Sequence, residues 1–249
     1  MCKDCGCEEG NANHAHHGHH QHEHDHSAHR LELGQKVLAE NDRLAEQNRV
    51  WLHERGIVTL NLISAPGTGK TLLLEETLKG LEGKVSCAVI TGDQQTDNDA
   101  KRLQGKGAKV VQIETVNSCH LDAHRVAHAL PEVIDEDTQL LFIENVGNLI
   151  CPVAFDLGED FKVALISTTE GEDKPLKYPS LFSVAQVTVL TKTDLIPYLQ
   201  WDLDLFREYI QRVHPGIYTF ELSAHTGNGM ESWLDYLHKL VPSKTVKKR

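Results

Sequence analysis

Cys2, Cys5 and Cys7 crowd three thiols into the first seven residues, and His14 to His29 carry nine imidazoles in sixteen positions. Thiolates spaced Cys-x-x-Cys-x-Cys chelate a soft or borderline divalent ion cooperatively, because the first sulfur bound raises the effective concentration of the others. A redox Cys-x-x-Cys opens a helix behind a strand; no such pattern precedes this one, so its context favours metal binding. The histidine tract has hardly an apolar side chain, and its many exchangeable donors suit a reservoir of metal ions. Glu or Lys would serve better in a mere solubility tail. A second donor set lies deeper in the chain: NSCHLDAHRVAHAL carries Cys119, His120 and His124, and GNLICPVAFD carries Cys151. Thiolate with imidazole suits Zn²⁺ or Ni²⁺. These donors are too few for a closed structural sphere, so a second copy of the chain completes the site or it stays open for transfer. Cys87, inside VSCAVI, reads as a small core thiol, and His53, His128, His214 and His238 read as solvated residues.

A different chemistry is written into SAPGTGKT. Ala65, Pro66, Gly67, Thr68 and Gly69 form a loop whose backbone N–H groups can close around phosphate, Lys70 supplies a cation, and Thr71 supplies a hydroxyl for Mg²⁺. Ser64 stands where the G-x-x-x-x-G-K-[ST] pattern has its first glycine. QLLFIENVGN ends an apolar run on Glu144, with Gly147 three residues on. A carboxylate there either caps a turn or, beside a phosphate loop, serves the Mg²⁺ ion, while the Gly147 N–H meets a γ-phosphate. Asp93, in ITGDQQTDND, is the candidate for the other Mg²⁺-linked group or else a turn residue. TKTD and the later ELSA address the base: the Asp194 carboxylate can accept both N1–H and N2–H₂ of guanine, which adenine cannot offer. Lys192 would lay its stem on the base, and Ser223 and Ala224 would offer backbone N–H to O6. Thr191 replaces the Asn of the usual guanine motif.

Elements with the right order are needed to bring these residues together. IVTLNLIS, VSCAVITG, KVVQIE, QLLFIEN, KVALIST, AQVTVLT and IYTFELS read as buried strands. Helical periodicity follows at 70–81, 97–104, 122–130, 202–213 and 229–240. This alternation predicts an α/β fold with a mostly parallel sheet flanked by helices, whose ligands collect at the carboxyl ends of the strands. Residues 1–30 form a Cys/His-rich tail expected to be disordered without metal. Residues 31–55 read as one amphipathic helix with Val37, Leu38, Leu44 and Trp51 near helical spacing, 56–242 as the GTPase domain, and 243–249 as a basic tail.

The net charge of −11 over 249 residues argues against a nucleic-acid partner. The start lacks a signal-peptide pattern and no apolar run approaches a membrane span, so a cytoplasmic protein is expected, with its six cysteines as metal ligands or core thiols.

These segments together resemble the HypB family of GTPases that help load nickel into [NiFe]-hydrogenase. CxxCGC, ISAPGTGKT, GDQQTDNDA, SCHLDAH, FIENVGNLICPVAFDLGE, STTEGEDKPLKYP and LTKTDLIPYL carry the likeness, over residues 2–7 and most of 36–240. The resemblance implies a seven-stranded P-loop GTPase domain of the dimer-forming SIMIBI class. It also implies nickel at Cys2, Cys5 and Cys7, a nickel or zinc site at Cys119, His120 and Cys151 near a dimer interface, and GTP-dependent homodimerisation. Partners implied are a HypA-type nickel/zinc accessory protein and, indirectly, the hydrogenase large-subunit precursor. Lys174 and Lys177 match the family, but the residues themselves suggest no role for them. The function expected is a metallochaperone whose slow GTP hydrolysis gates nickel delivery, with storage on the histidine tract. The alternatives are a metal buffer with nucleotide as a structural ligand, and a GTPase of the urease or cobalamin metal pathway.

Overall fold

The computed structural model describes residues 23–93, 102–115 and 119–241, with side chains from residue 34 onward except that of Asp93. The thiols of Cys2, Cys5 and Cys7, residues 14–22 of the histidine tract, the basic tail and most of the expected helix at 97–104 lie outside this description.

All seven expected strands form: β1 (Val58–Ser64), β2 (Cys87–Asp93), β3 (Ala108–Glu114), β4 (Leu140–Glu144), β5 (Phe161–Ser167), β6 (Val187–Thr191) and β7 (Tyr218–Glu221). They make one sheet in the order β3-β2-β4-β1-β5-β6-β7, and every adjacent pair is parallel. Parallel strands need crossovers, and the crossover helices cover both faces of the sheet. On one face α2 (Lys70–Leu81) and α8 (Met230–Leu240) bury Leu74, Leu78, Trp233 and Leu237 against Leu60, Leu62 and Val89. On the other, α1 (Glu23–His53) and α3 (Ala123–Val133) pack Leu52, Val126 and Leu130 on Ile90 and Ile143. Farther along that face, α6 (Pro179–Val184) and α7 (Leu203–Val213) bring Phe182, Phe206 and Ile210 onto Ala164 and Ile166. Two short helices, α4 (Cys151–Ala154) and α5 (Lys174–Lys177), and a 3₁₀ turn at Thr193–Tyr198 complete the elements; their periods are too short to read from sequence.

The helix α1 corrects the expected layout twice. It already includes residues 23–30 of the expected disordered tail; they contain no Gly or Pro, and extending an existing helix costs little. Its buried stripe is not the apolar one: Val37 is exposed and Leu38, Leu44 and Trp51 are only partly covered, whereas Asn41, Ala45, Asn48 and Leu52 face inward. Hydrogen bonding decides the rotation. Asn41 accepts from the Ala123 N–H at 2.9 Å and donates to Asp156 O at 2.8 Å; Asn48 donates to Ala123 O at 2.9 Å and Leu157 O at 3.1 Å. Arg49 adds an ion pair to Asp156 at 2.6 Å. Burial pushes the Asp156 pKa up, but hydrogen bonds and charge, those of Arg49 foremost, hold it below the usual carboxylate range. Gly158 makes this docking possible: its φ is +94°, and a Cβ there would lie 2.7 Å from Ala45 O.

Gly158→Ala should therefore lower the unfolding free energy by about 1–3 kcal/mol. Chemical denaturation of the two proteins checks this, and an unchanged midpoint would refute the close approach of α1.

Candidate nucleotide and metal site

The carboxyl edge of the sheet carries a cleft of ≈ 480 Å³ lined by Pro66, Gly67, Gly69, Lys70 and Thr71 on one side and by Glu144, Asn145, Val146 and Gly147 on the other. β1 delivers the chain to the loop 65–69, and Gly69, at φ +100°, turns it into α2, whose first residues are Lys70 and Thr71. Lys70 Nζ donates to Ser64 Oγ at 2.9 Å. Ser64 itself is the last residue of β1 and has no positive φ, so the absent glycine is not needed at this position. Thr71 Oγ1 donates to Glu144 Oε1 at 2.8 Å, which sets a hydroxyl and a carboxylate side by side as hard oxygen donors suited to Mg²⁺. Gly147 approaches so closely that a Cβ there would sit 3.0 Å from the Pro66 ring and 3.2 Å from its backbone. Asp93 ends β2 at the same edge.

The base-side residues hang from β6 and β7. Lys192, at φ +58° just after β6, is the sole non-glycine of positive φ among the described residues, and its ammonium donates to Gly67 O at 2.7 Å. Its stem thus lies across the phosphate loop. Thr191 is buried and donates to Thr68 O at 2.7 Å, so the residue in place of Asn ties down the same loop. Asp194 Oδ1 is buried without a hydrogen-bond partner among the described residues, the state of a carboxylate awaiting a donor. One expectation is corrected: the Ser223 N–H is already given to Asn228 O at 2.8 Å, closing the tight turn after β7.

Beside the cleft, Cys119, His120 and Cys151 bring their ligand atoms within 4.8 Å of one another. Cys119 and His120 follow β3, and Cys151 opens α4 beyond Gly147. Cys119 Sγ lies 3.6 Å from His120 Nδ1, and the imidazole stacks on Phe155 at 3.8 Å between centroids. Burial holds the His120 pKa below its ordinary value; Asp122 opposes the shift and Arg125 reinforces it. Burial thus favours the neutral ring that a metal ligand must present. Three donors of the thiolate and imidazole type suit Ni²⁺ or Zn²⁺ and leave further coordination positions open. Cys87 is apart from all this, buried in the core with its thiol pushed up to about 12 by desolvation.

Residues 58–221 match the family described as CobW/HypB/UreG, nucleotide-binding domain. The hydrogenase maturation factor HypB of Azotobacter vinelandii is 50% identical over 209 residues, spanning 84% of this chain and 69% of that one. The chain belongs to the HypB family of hydrogenase maturation factors. Among solved structures, HypB from Archaeoglobus fulgidus superposes with a TM-score of 0.76 at 41% identity, covering 81% of this chain and 98% of that one. HypB from Helicobacter pylori, solved in complex with nickel, gives 0.77 at 33% identity, covering 80% and 94%. No helix among the described residues is long and apolar enough to cross a membrane.

Arg102 lies in no sequence motif that would have found it, and STTEGEDKPLKYP marked its own residues without showing what they touch. Arg102 reaches the cleft while paired to Glu75 of α2 at 3.3 Å. Glu170 accepts from Thr68 Oγ1 at 2.8 Å and pairs with Lys174 at 3.4 Å, while Lys177 pairs with Asp173 at 2.7 Å. Lys174 thus braces, through Glu170, the loop that holds Thr68, whereas Lys177 pairs with Asp173 at the surface. Of the histidines read as solvated, His53 and His128 are exposed, the first meeting Asp160 at 2.6 Å and the second facing His124 across 3.2 Å on α3, whereas His214 is half-buried with Nδ1 3.1 Å from Phe182 O.

In the metal-free protein, a thiol alkylating agent should label Cys119 and Cys151 under native conditions and reach Cys87 only after unfolding. Peptide mass spectrometry reads this out; native labelling of Cys87 would contradict the buried, high-pKa thiol.

Proposed function

We propose that this chain binds Mg²⁺ and GTP in the cleft, hydrolyses GTP slowly, and uses the change to gate nickel at Cys119, His120 and Cys151 for hydrogenase maturation. The observation that carries the reading is continuity of chain. Glu144, Gly147 and Cys151 lie on one short segment leaving β4, so a γ-phosphate drawing in the Gly147 backbone moves a metal ligand. Thr71 and Glu144 are the residues that would hold Mg²⁺, which supplies charge neutralisation at the β- and γ-phosphates. Lys70 leaves Ser64 for the phosphates, and the backbone N–H groups of residues 67–71 receive their oxygens. Asp194 accepts from guanine, with Lys192 along the base and the Ala224 N–H toward O6. Asp93 serves the Mg²⁺ side from β2.

Support for nickel comes from the donor set and from the nickel complex of the Helicobacter pylori relative; zinc suits the same donors. An open metal site beside Ile150, which is 61% exposed, is the surface that a second copy would cover in a GTP-dependent homodimer. In this reading Cys2, Cys5 and Cys7 take nickel from, or pass it to, a HypA-type accessory protein, the histidine tract stores it, and the hydrogenase large-subunit precursor receives it in the cytoplasm.

Lys70→Ala should lower GTP turnover by at least about 100-fold, measured as phosphate release, and should abolish hydrogenase activation in cells. Intact hydrolysis and activation would refute the gating role. Deleting residues 14–29 separates storage from delivery: nickel capacity should fall while hydrogenase activation at ample nickel persists, and lost activation would make buffering the main role.

A further inference from the structure

We infer that Asn145 is the positioning residue that passes the state of the phosphate cleft to the loop bearing Cys119 and His120, an inference that rests on the nucleotide gating proposed above. Asn145 is 1% exposed and stands between Glu144 and the Val146–Gly147 backbone that lines the cleft. Its own N–H donates to Leu62 O at 3.1 Å, which pins its backbone to β1. Its side chain then spends both oxygen lone pairs in two directions. Oδ1 accepts from the Val146 N–H at 2.9 Å, on the cleft side, and from the Leu121 N–H at 3.2 Å, on the metal side. Nδ2 donates to Asn61 Oδ1 at 3.2 Å; Asn61 donates to Glu159 Oε1 at 3.1 Å, and Glu159 Oε2 accepts from the Leu157 N–H at 2.6 Å.

The Leu121 N–H belongs to the peptide plane that begins at His120. That plane is rigid, so a shift of its acceptor turns the His120 carbonyl and Cα with it. Leu121 cannot absorb the shift by sliding. It is fully buried, and its side chain presses so closely on Gly92 that a Cβ there would meet it at 2.8 Å. The displacement is therefore carried back toward Cys119 and His120. At the other end Gly147 abuts Pro66 of the phosphate loop, so a γ-phosphate that engages Gly147 must move the Val146–Gly147 backbone and with it the first of the two N–H groups on Oδ1. A second, longer contact runs in parallel, from Asn148 Nδ2 to Cys119 O at 3.5 Å. The segment of Cys151 thus moves by direct chain connection, and the Cys119–His120 loop moves chiefly through the Asn145 amide, whose contact is the shorter of the two. Both halves of the metal site respond together.

The test uses the full chain with Cys2→Ser, Cys5→Ser and Cys7→Ser. Cys87 stays a buried thiol, its pKa pushed up to about 12, so the nickel–thiolate charge-transfer band reports Cys119 and Cys151. Ni²⁺ is titrated with GDP and with a non-hydrolysable GTP analogue present. In this parent the two nickel affinities should differ at least about fivefold; equal affinities would sink the gating reading and the inference with it. Adding Asn145→Ala should bring the two affinities to within about twofold of each other while nucleotide still binds. A ratio kept at the parent value would overturn the role of Asn145 and leave gating intact. Amide hydrogen exchange of Leu121 in the parent gives a readout free of any folding defect in the variant. Its protection should change at least about fivefold between the two nucleotides, and equal protection would overturn the inference.

Discussion

Strand β4 runs parallel between β1 and β2, with Glu144 in register with Leu62 on one side and Thr91 on the other. That register is the constraint on which the site depends. Parallel strands of matched length release their chains at one edge, where loops escape the ladder and become free to hold ligands. The phosphate loop leaves β1, the Glu144–Gly147 segment leaves β4, and the Cys119–His120 loop leaves β3 two places along the sheet. The Thr71–Glu144 hydrogen bond then locks the first two together at 2.8 Å. Strand order brings the Cys119–His120 loop to this edge, while Cys151 arrives by chain continuity, seven residues beyond Glu144.

What joins the loops is a set of buried asparagines. Asn41, Asn48, Asn61 and Asn145 are each less than a tenth exposed, and each amide is hydrogen-bonded to a backbone group or to another buried side chain. Apolar residues of similar size would pack about as well, but they would not fix one arrangement of loops, since apolar contact is non-directional. A satisfied amide inside the protein demands its partners at set angles, and leaving them unpaired costs about 1–3 kcal/mol. The α1 helix is held in the same way, with Asn41 and Asn48 reaching the start of α3 and the stretch after α4. The element that leads back to the histidine tract is thus bonded to both segments that carry metal ligands.

Strand periods and the phosphate loop were legible because they are local. VTLNLIS followed by APGTGKT states a strand, a turn and a helix in consecutive residues, and the extent expected for α2, 70–81, is the extent found. The two departures from the familiar patterns are also explained locally. Ser64 ends a strand where no left-handed glycine is required, and the Thr191 hydroxyl ties down the phosphate loop through Thr68 O. By contrast the face of α1 was misjudged. Periodicity weighs apolar residues only, and here two asparagines outcompeted Val37 and Trp51 for the inner side.

Sequence alone determined which chemistries the chain could host, because thiols, imidazoles, a glycine-rich loop and strand-end carboxylates declare themselves by type and spacing. It also determined an α/β sheet, since alternating apolar runs and helical periods admit few other folds. Only the tertiary structure decided that the Ser223 N–H is spent within its own turn, that Arg102 reaches the cleft and Glu170 the phosphate loop, and that Asn145 Oδ1 accepts from both the Val146 and the Leu121 N–H. Each of these is a meeting of residues far apart in the chain or a competition for a single hydrogen bond. Such meetings are settled by strand order and packing, which no local pattern records.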